Sequence, residues 1–187
     1  MLSNEDGDYL IKIAKLAIET YLEKGEKINV PYDCPQYLKE KLGVFVTLNK
    51  QNELRGCIGY PKPVAPLIKA TIDVAISAAV SDPRFPSLTK EEFKSIDFEV
   101  TVLTKPEILE VNDPSEYVNR IRIGEDGLIA EKGPFRGLLL PQVAPEHNMD
   151  SKTFLEHTCM KAGLSNQCYL EEGTKIYTFQ GQIFNEK

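Results

Sequence analysis

A chain of 187 residues, 42% hydrophobic and 27% charged, can bury roughly two-thirds of the surface its unfolded form exposes, so neither a metal nor a disulfide is required to hold it together. Its net charge of −6, with the Lys and Arg residues dispersed among acids, argues against nucleic acid as a partner, because phosphate recognition needs clustered cations. No apolar run approaches the about 18 residues of a membrane span, and residues 1–6 carry neither the basic start nor the apolar stretch of a secretory signal, so a soluble, cytoplasmic protein without membrane contact is expected.

Over 8–24, Leu10, Ile13, Ala14, Ala17, Ile18, Tyr21 and Leu22 recur with a period of about 3.6 and predict an amphipathic helix, with Gly25 beyond its end. A loop through Pro31 and Pro35 leads to two β-rich runs, 43–48 and 54–58, around the polar Asn49-Lys50-Gln51-Asn52, which predicts a hairpin. Helical spacing of Leu67, Ile68, Ile72, Ala75, Ile76 and Ala79 predicts a well-buried helix over 63–81. Ser81-Asp82-Pro83-Arg84-Phe85-Pro86 stops it, and a short helix over 89–94 and a strand over 96–103 follow. Next come a helix over 113–122 and strands over 127–131 and 137–140 joined around Gly133-Pro134, the second ended by Pro141. Asp150 and Ser151 cap a helix over 152–162 closed by Gly163, and a strand over 174–183 ends the pattern. Hairpins recur and strands do not alternate strictly with helices, so the fold class expected is α+β, an antiparallel sheet with packed helices.

The segment Leu54-Arg55-Gly56-Cys57-Ile58-Gly59 concentrates the chemistry. In a regular strand Arg55 and Cys57 share one side, and Leu54, Gly56 and Ile58 the other. A guanidinium beside a thiol favours the thiolate, while Gly56 and Gly59 leave room for a ligand or a second backbone. The competing reading is packing: cysteine is among the most buried residue types, and a strand-end Gly-Cys-Ile-Gly also fits close approach to a helix. Cys34, Cys57, Cys159 and Cys168 are irregularly spaced and, in a reducing compartment, are expected as free thiols. No Cys or His pair has zinc-ligand spacing, so no metal and no cofactor are expected.

Glu99 shares a face of its strand with Thr101, where a carboxylate can pair with Arg55, act as a base beside Cys57, or simply be solvated. His157 and Cys159, two residues apart on a helix, point about 200° away from each other and cannot serve one site. Cys159 belongs with Leu155 and Ala162 on the apolar face, and His157 faces a cleft or solvent. Asp82 and Arg84 either order their Pro-bounded loop through an ion pair or reach into a binding cleft, and Arg136 has the same two readings.

Leu54 to Gly59 matches the six-residue signature of the AMMECR family, named for the Alport syndrome, midface hypoplasia and elliptocytosis chromosomal region. Ser81-Asp82-Pro83-Arg84-Phe85-Pro86, the run from Arg136 to Val143 and the run from Phe154 to Leu164 support the match in the same order, so the chain resembles a prokaryotic single-domain member over nearly its whole length. It departs where many members carry Trp after the Pro-Gln-Val stretch and this chain has His147-Asn148-Met149. The resemblance implies one domain over 1–187 with two lobes of unequal size forming a cleft, a smaller lobe around 61–95, and the signature, with Asp82, Arg84 and Arg136, near the cleft. It names no firmly established reaction. Relatives encoded beside or fused to Memo-like and radical-SAM proteins imply partners in a modification pathway.

Two functional readings follow. In the first, the protein is a cysteine-dependent enzyme or enzyme subunit acting on a small molecule or modified side chain, with Cys57 as nucleophile, Arg55 stabilising its thiolate, and Glu99 or His157 moving protons. In the second it is a non-catalytic binding or adaptor module, a reading favoured by the lack of a complete triad, phosphate loop or metal constellation in the sequence.

Overall fold

The computed structural model describes residues 2–186. Thr104–Gly181 forms one unit, and the chain before it together with the segment returning at Gln182 forms the other.

In the unit that opens the chain, the apolar stripe becomes α1 (Asn4–Lys24). The helix starts earlier than its apolar pattern because Ser3 and Asp6 form a capping box: the Ser3 hydroxyl accepts from the Asp6 N–H, and the Asp6 carboxylate accepts from the Ser3 N–H. It ends at Gly25, whose φ of 71° is left-handed. β1 (Gly43–Lys50) and β2 (Glu53–Tyr60) form the expected hairpin, closed by Gln51 and Asn52, both at positive φ. α2 (Leu67–Val80) begins later than its periodicity suggests. Pro66 is extended, with ψ of 137°, and a proline also disfavours helical backbone at the residue before it. α3 (Lys90–Phe93) is capped by Thr89, whose hydroxyl accepts from the Glu92 N–H, and β3 (Asp97–Leu103) pairs antiparallel with the free edge of β1.

This unit therefore has the strand order β2-β1-β3, with α1 and α2 covering one face. Val44, Val46, Leu48, Phe98, Val100 and Val102 point into the core against Leu10, Ala14 and Ile18 of α1 and Leu67, Ala75 and Ala79 of α2. Leu10, Leu67 and Val46 are completely buried, each contributing on the order of 2 kcal/mol relative to an exposed position. Residues 61–95, expected to form a smaller lobe, belong to this unit, and α2 supplies much of its core. The alternate strand residues Phe45, Thr47, Asn49, Glu99 and Thr101 lie on the opposite face and are half-buried.

The unit Thr104–Gly181 holds β4 (Glu107–Ile108), α4 (Tyr117–Arg120), β5 (Asp126–Lys132), β6 (Phe135–Leu139), α5 (Val143–Glu146), α6 (Ser151–Lys161) and most of β7 (Lys175–Asn185). β5 lies between β6 and β7, antiparallel to both, and β4 pairs with β7. The helix expected over 113–122 is a 3-10 turn at Pro114–Glu116 followed by the single turn of α4. Buried Asp126 ends it by accepting from the Arg122 N–H at 2.9 Å and from the Arg122 guanidinium. Burial opposes the charged form of Asp126, but the Arg122 bonds prevail and hold its carboxyl below its ordinary value. α6 starts where the Asp150 carboxylate accepts from the Thr153 N–H at 2.7 Å. Gly163, at φ 76°, ends it. Leu128, Ala130, Phe154, Leu155, Tyr169 and Ile176 form a second core.

One expectation is overturned here. Cys159 and Cys168, expected as free thiols, are joined in a disulfide, with Cα atoms 5.8 Å apart. Connectivity is not readable from cysteine spacing; the bond forms because the chain reverses after Gly163 and lays the 3-10 turn Cys168–Leu170 on α6. Both cysteines have no exposed surface. Cys34 and Cys57 are free. Among the described residues no helix is long and apolar enough to cross a membrane, and no group of three or more His, Cys, Asp or Glu could hold a metal ion.

Candidate functional site

The signature strand β2 does not alternate regularly. Gly56 stands opposite Leu48, but Leu54 stands opposite Asn49, so Arg55 is an extra residue without a partner in the register, a β-bulge. Its consequence is a correction to simple alternation. Leu54 shares the outward face with Cys57, Gly56 and Ile58 turn inward, and Arg55 does not stand beside the thiol. A two-residue turn without the bulge would set Thr47 opposite Gly56; with it, Thr47 stands opposite Cys57.

The Arg55 guanidinium reaches α3 instead. Nε and Nη2 donate to the two oxygens of Glu92 at 2.9 and 3.0 Å, and Nη2 also donates to the Pro86 carbonyl at 2.9 Å. Lys50 Nζ donates to Glu92 at 3.0 Å. Arg55 holds the Glu92 carboxyl at about 2, against burial and with help from Lys50.

The glycines make room for protein. A Cβ at Gly56 would lie 2.3 Å from the Ala78 carbonyl oxygen of α2, and one at Gly59 would lie 2.3 Å from the Phe45 ring and 2.5 Å from the Val44 carbonyl. Gly56→Ala is therefore expected to destabilise the fold by about 1–3 kcal/mol, since a helix backbone cannot swing aside. Denaturant unfolding of the variant checks this. With Arg55 bonded to Glu92, Gly56 and Ile58 packed inward and Gly59 under Phe45, Cys57 is left as an outward, half-buried free thiol, next to exposed Leu54 on the same face.

Its surroundings are defined. Thr47 Oγ1 lies 3.4 Å from Cys57 Sγ, and Thr47 is in turn opposite Glu99 on β3. Cys57, Thr47 and Glu99 thus form a row across β2, β1 and β3, spanning about 10 Å between the outer strands. Glu99 accepts from Thr101 Oγ1 at 3.4 Å.

β2 is an edge strand of this unit, and its outward peptide groups need partners. The loop after α2 supplies them at Cys57: its N–H donates to Asp82 Oδ2 at 2.9 Å, and its carbonyl accepts from Arg84 Nη2 at 3.2 Å. Arg84 also donates to Asp82 through Nε and Nη2, at 3.0 and 2.7 Å. Arg84 holds the Asp82 carboxyl far below the usual carboxylate range, with the Cys57 N–H assisting against burial. Asp82 in turn pushes the Arg84 guanidinium up. Asp82 is buried and Arg84 half-exposed.

The sequence candidates therefore separate. Cys57, Asp82 and Arg84 are bonded together, Glu99 lies in the same row beyond Thr47, and Arg55 and Leu54 flank the site without touching Sγ through a hydrogen bond. Arg136 and His157 are in the other unit. Arg136, on β6, donates to Glu131 at 2.8 Å and lies 5.7 Å from the centre of the Tyr177 ring, and His157 is on the exposed side of α6. Thr47, Lys50 and Glu92 were missed: Thr47 enters through the register, and Glu92 lies 37 residues from Arg55.

The AMMECR1 family model matches residues 11–184. A protein from Methanothermobacter thermautotrophicus is 54% identical over 99% of this chain and 96% of its own length, and one from Pyrococcus furiosus is 52% identical over 100% of this chain and 90% of its own. A crystal structure of an uncharacterized protein from Pyrococcus horikoshii, 50% identical, superposes with a TM-score of 0.82 and covers 100% of this chain and 94% of the other. With the match running from α1 to the end of β7, the chain belongs to the AMMECR1 family.

Proposed function

We propose that the protein is a thiol-dependent enzyme, or the thiol-bearing subunit of one, in which Cys57 Sγ attacks or accepts an electrophilic small molecule or modified side chain. The supporting observation is that Arg55 is ion-paired, Gly56, Ile58 and Gly59 are packed, and of the two signature side chains left outward, Leu54 and Cys57, only Cys57 carries a nucleophilic atom, beside Thr47. Arg84, bonded to the Cys57 carbonyl, positions that residue, while Arg55, first assigned to stabilise the thiolate, is bonded to Glu92 instead. Glu99, opposite Thr47 in the register, is the carboxylate on the row assigned to take the thiol proton. His157, on the exposed side of α6, has no step in this scheme. A cytoplasmic setting, with a Memo-like or radical-SAM protein in the same pathway, is the context the family resemblance suggests.

Complementation tests the role of the thiol. In a strain lacking the protein, Cys57→Ser should fail to restore the lost phenotype. Full rescue by Cys57→Ser would instead support a binding module without turnover, a reading favoured by the use of Gly56 and Gly59 for packing.

A further inference from the structure

Arg55 and Arg84 converge on one aromatic ring. Their guanidinium carbons lie 5.6 and 5.5 Å from the centre of Phe85. Arg55 is only 9% exposed, and while Nε and Nη2 are bonded to Glu92 and Pro86, Nη1 is buried with no acceptor. Folding rarely leaves such a donor unmet, because a buried charged group without its hydrogen bond is unfavourable. An aromatic face near a cation compensates weakly.

The local charge favours an anion. Lys50, Arg55 and Arg84 are set against two carboxylates, Asp82 and Glu92, so three cations less two anions leave +1 in a chain whose net charge is −6. Phe85 itself is half-buried, between Pro83 and Pro86, with its N–H donating to the Asp82 carbonyl at 3.2 Å. A rotation of its side chain requires no sheet or helix bond to break.

We propose that Phe85 is a lid over an oxyanion site. When the ring turns outward, a carboxylate or phosphate group takes its place and accepts from Arg55 Nη1 and from half-exposed Arg84. Because Arg84 also donates to the Cys57 carbonyl, the site would anchor the anionic end of a substrate whose reactive atom meets Sγ. That last step rests on the thiol reading above; the anion site itself does not.

The test titrates the full chain with inorganic phosphate and, separately, with acetate at constant ionic strength, following the arginine Nε–H NMR signals. Saturable shifts are expected at Arg55 and Arg84. Phe85→Ala should tighten binding about fivefold by removing the competing ring, and Arg84→Gln should weaken it about tenfold or more. Phe85→Leu, which keeps apolar packing while losing the ring, serves if Phe85→Ala is poorly folded. The tighter of the two probes identifies the group as phosphate or carboxylate. Linear shifts, or saturable binding indifferent to both substitutions, would mean an adventitious ion only and overturn the proposal. Cys57→Ser should leave anion binding intact, so failure of the thiol reading and failure of the lid are separable.

Discussion

Glu92→Ala is expected to destabilise the protein by about 3–5 kcal/mol at pH 7, the range for removing one partner of a buried ion pair. The side chains of Arg55 and Glu92 are only 10% and 19% exposed, so truncating Glu92 leaves a buried guanidinium with the Pro86 carbonyl as its remaining acceptor. The loss should depend on pH in a definite direction. Glu92 titrates at an ordinary value of 4.5 when unfolded and about 2 when folded. Between those values the unfolded chain binds the extra proton, so the stabilisation is fully present above about 4.5 and disappears as pH falls toward about 2. Urea denaturation at pH 7 and at about pH 2 checks it: the gap between wild type and variant should be wide at the first pH and largely closed at the second. A gap equal at both would show that the effect is packing alone.

The second large effect concerns Cys159–Cys168. The bond closes a loop with a sequence separation of 9, for which loop-closure entropy gives about 2.5–3 kcal/mol. Cys159→Ala/Cys168→Ala should therefore lower stability by about that amount. The loss of hydrogen-exchange protection should fall in the unit Thr104–Gly181, whose core surrounds the bond. Reduction of the native protein should be slow, because both sulfurs belong to residues with no exposed surface and exchange needs access to a sulfur. A variant as stable as the wild type in this unit would show that the bond adds nothing to the fold.

The readable parts of the fold were those set by local rules. α1, the β1–β2 hairpin and α6 carry periodicity and capping residues within their own sequences, and the structure places them within a few residues of expectation. α2 was drawn too long at its start because apolar spacing ran through Pro66, where backbone sterics outrank periodicity. β4, two residues long, has no pattern to read.

At the site, Asp82 and Arg84 were legible because they are two residues apart in a Pro-bounded loop. The bulge at Arg55 was not, since no residue type announces it, and that one insertion moves Arg55 to Glu92 and brings Thr47 to Cys57. The disulfide was hidden for a similar reason: it depends on a chain reversal that cysteine spacing does not encode.

The most direct test of Cys57 as the reactive group is residue-resolved alkylation of the native protein by iodoacetamide, read by mass spectrometry. Cys57, outward and half-buried, should label in the folded state, while Cys34, 5% exposed, should label only on unfolding, and Cys159 and Cys168 only after reduction. Thr47→Val should change the Cys57 rate without exposing Cys34. If Cys57 labels no faster than Cys34, the thiol is a packing residue and the catalytic account is contradicted.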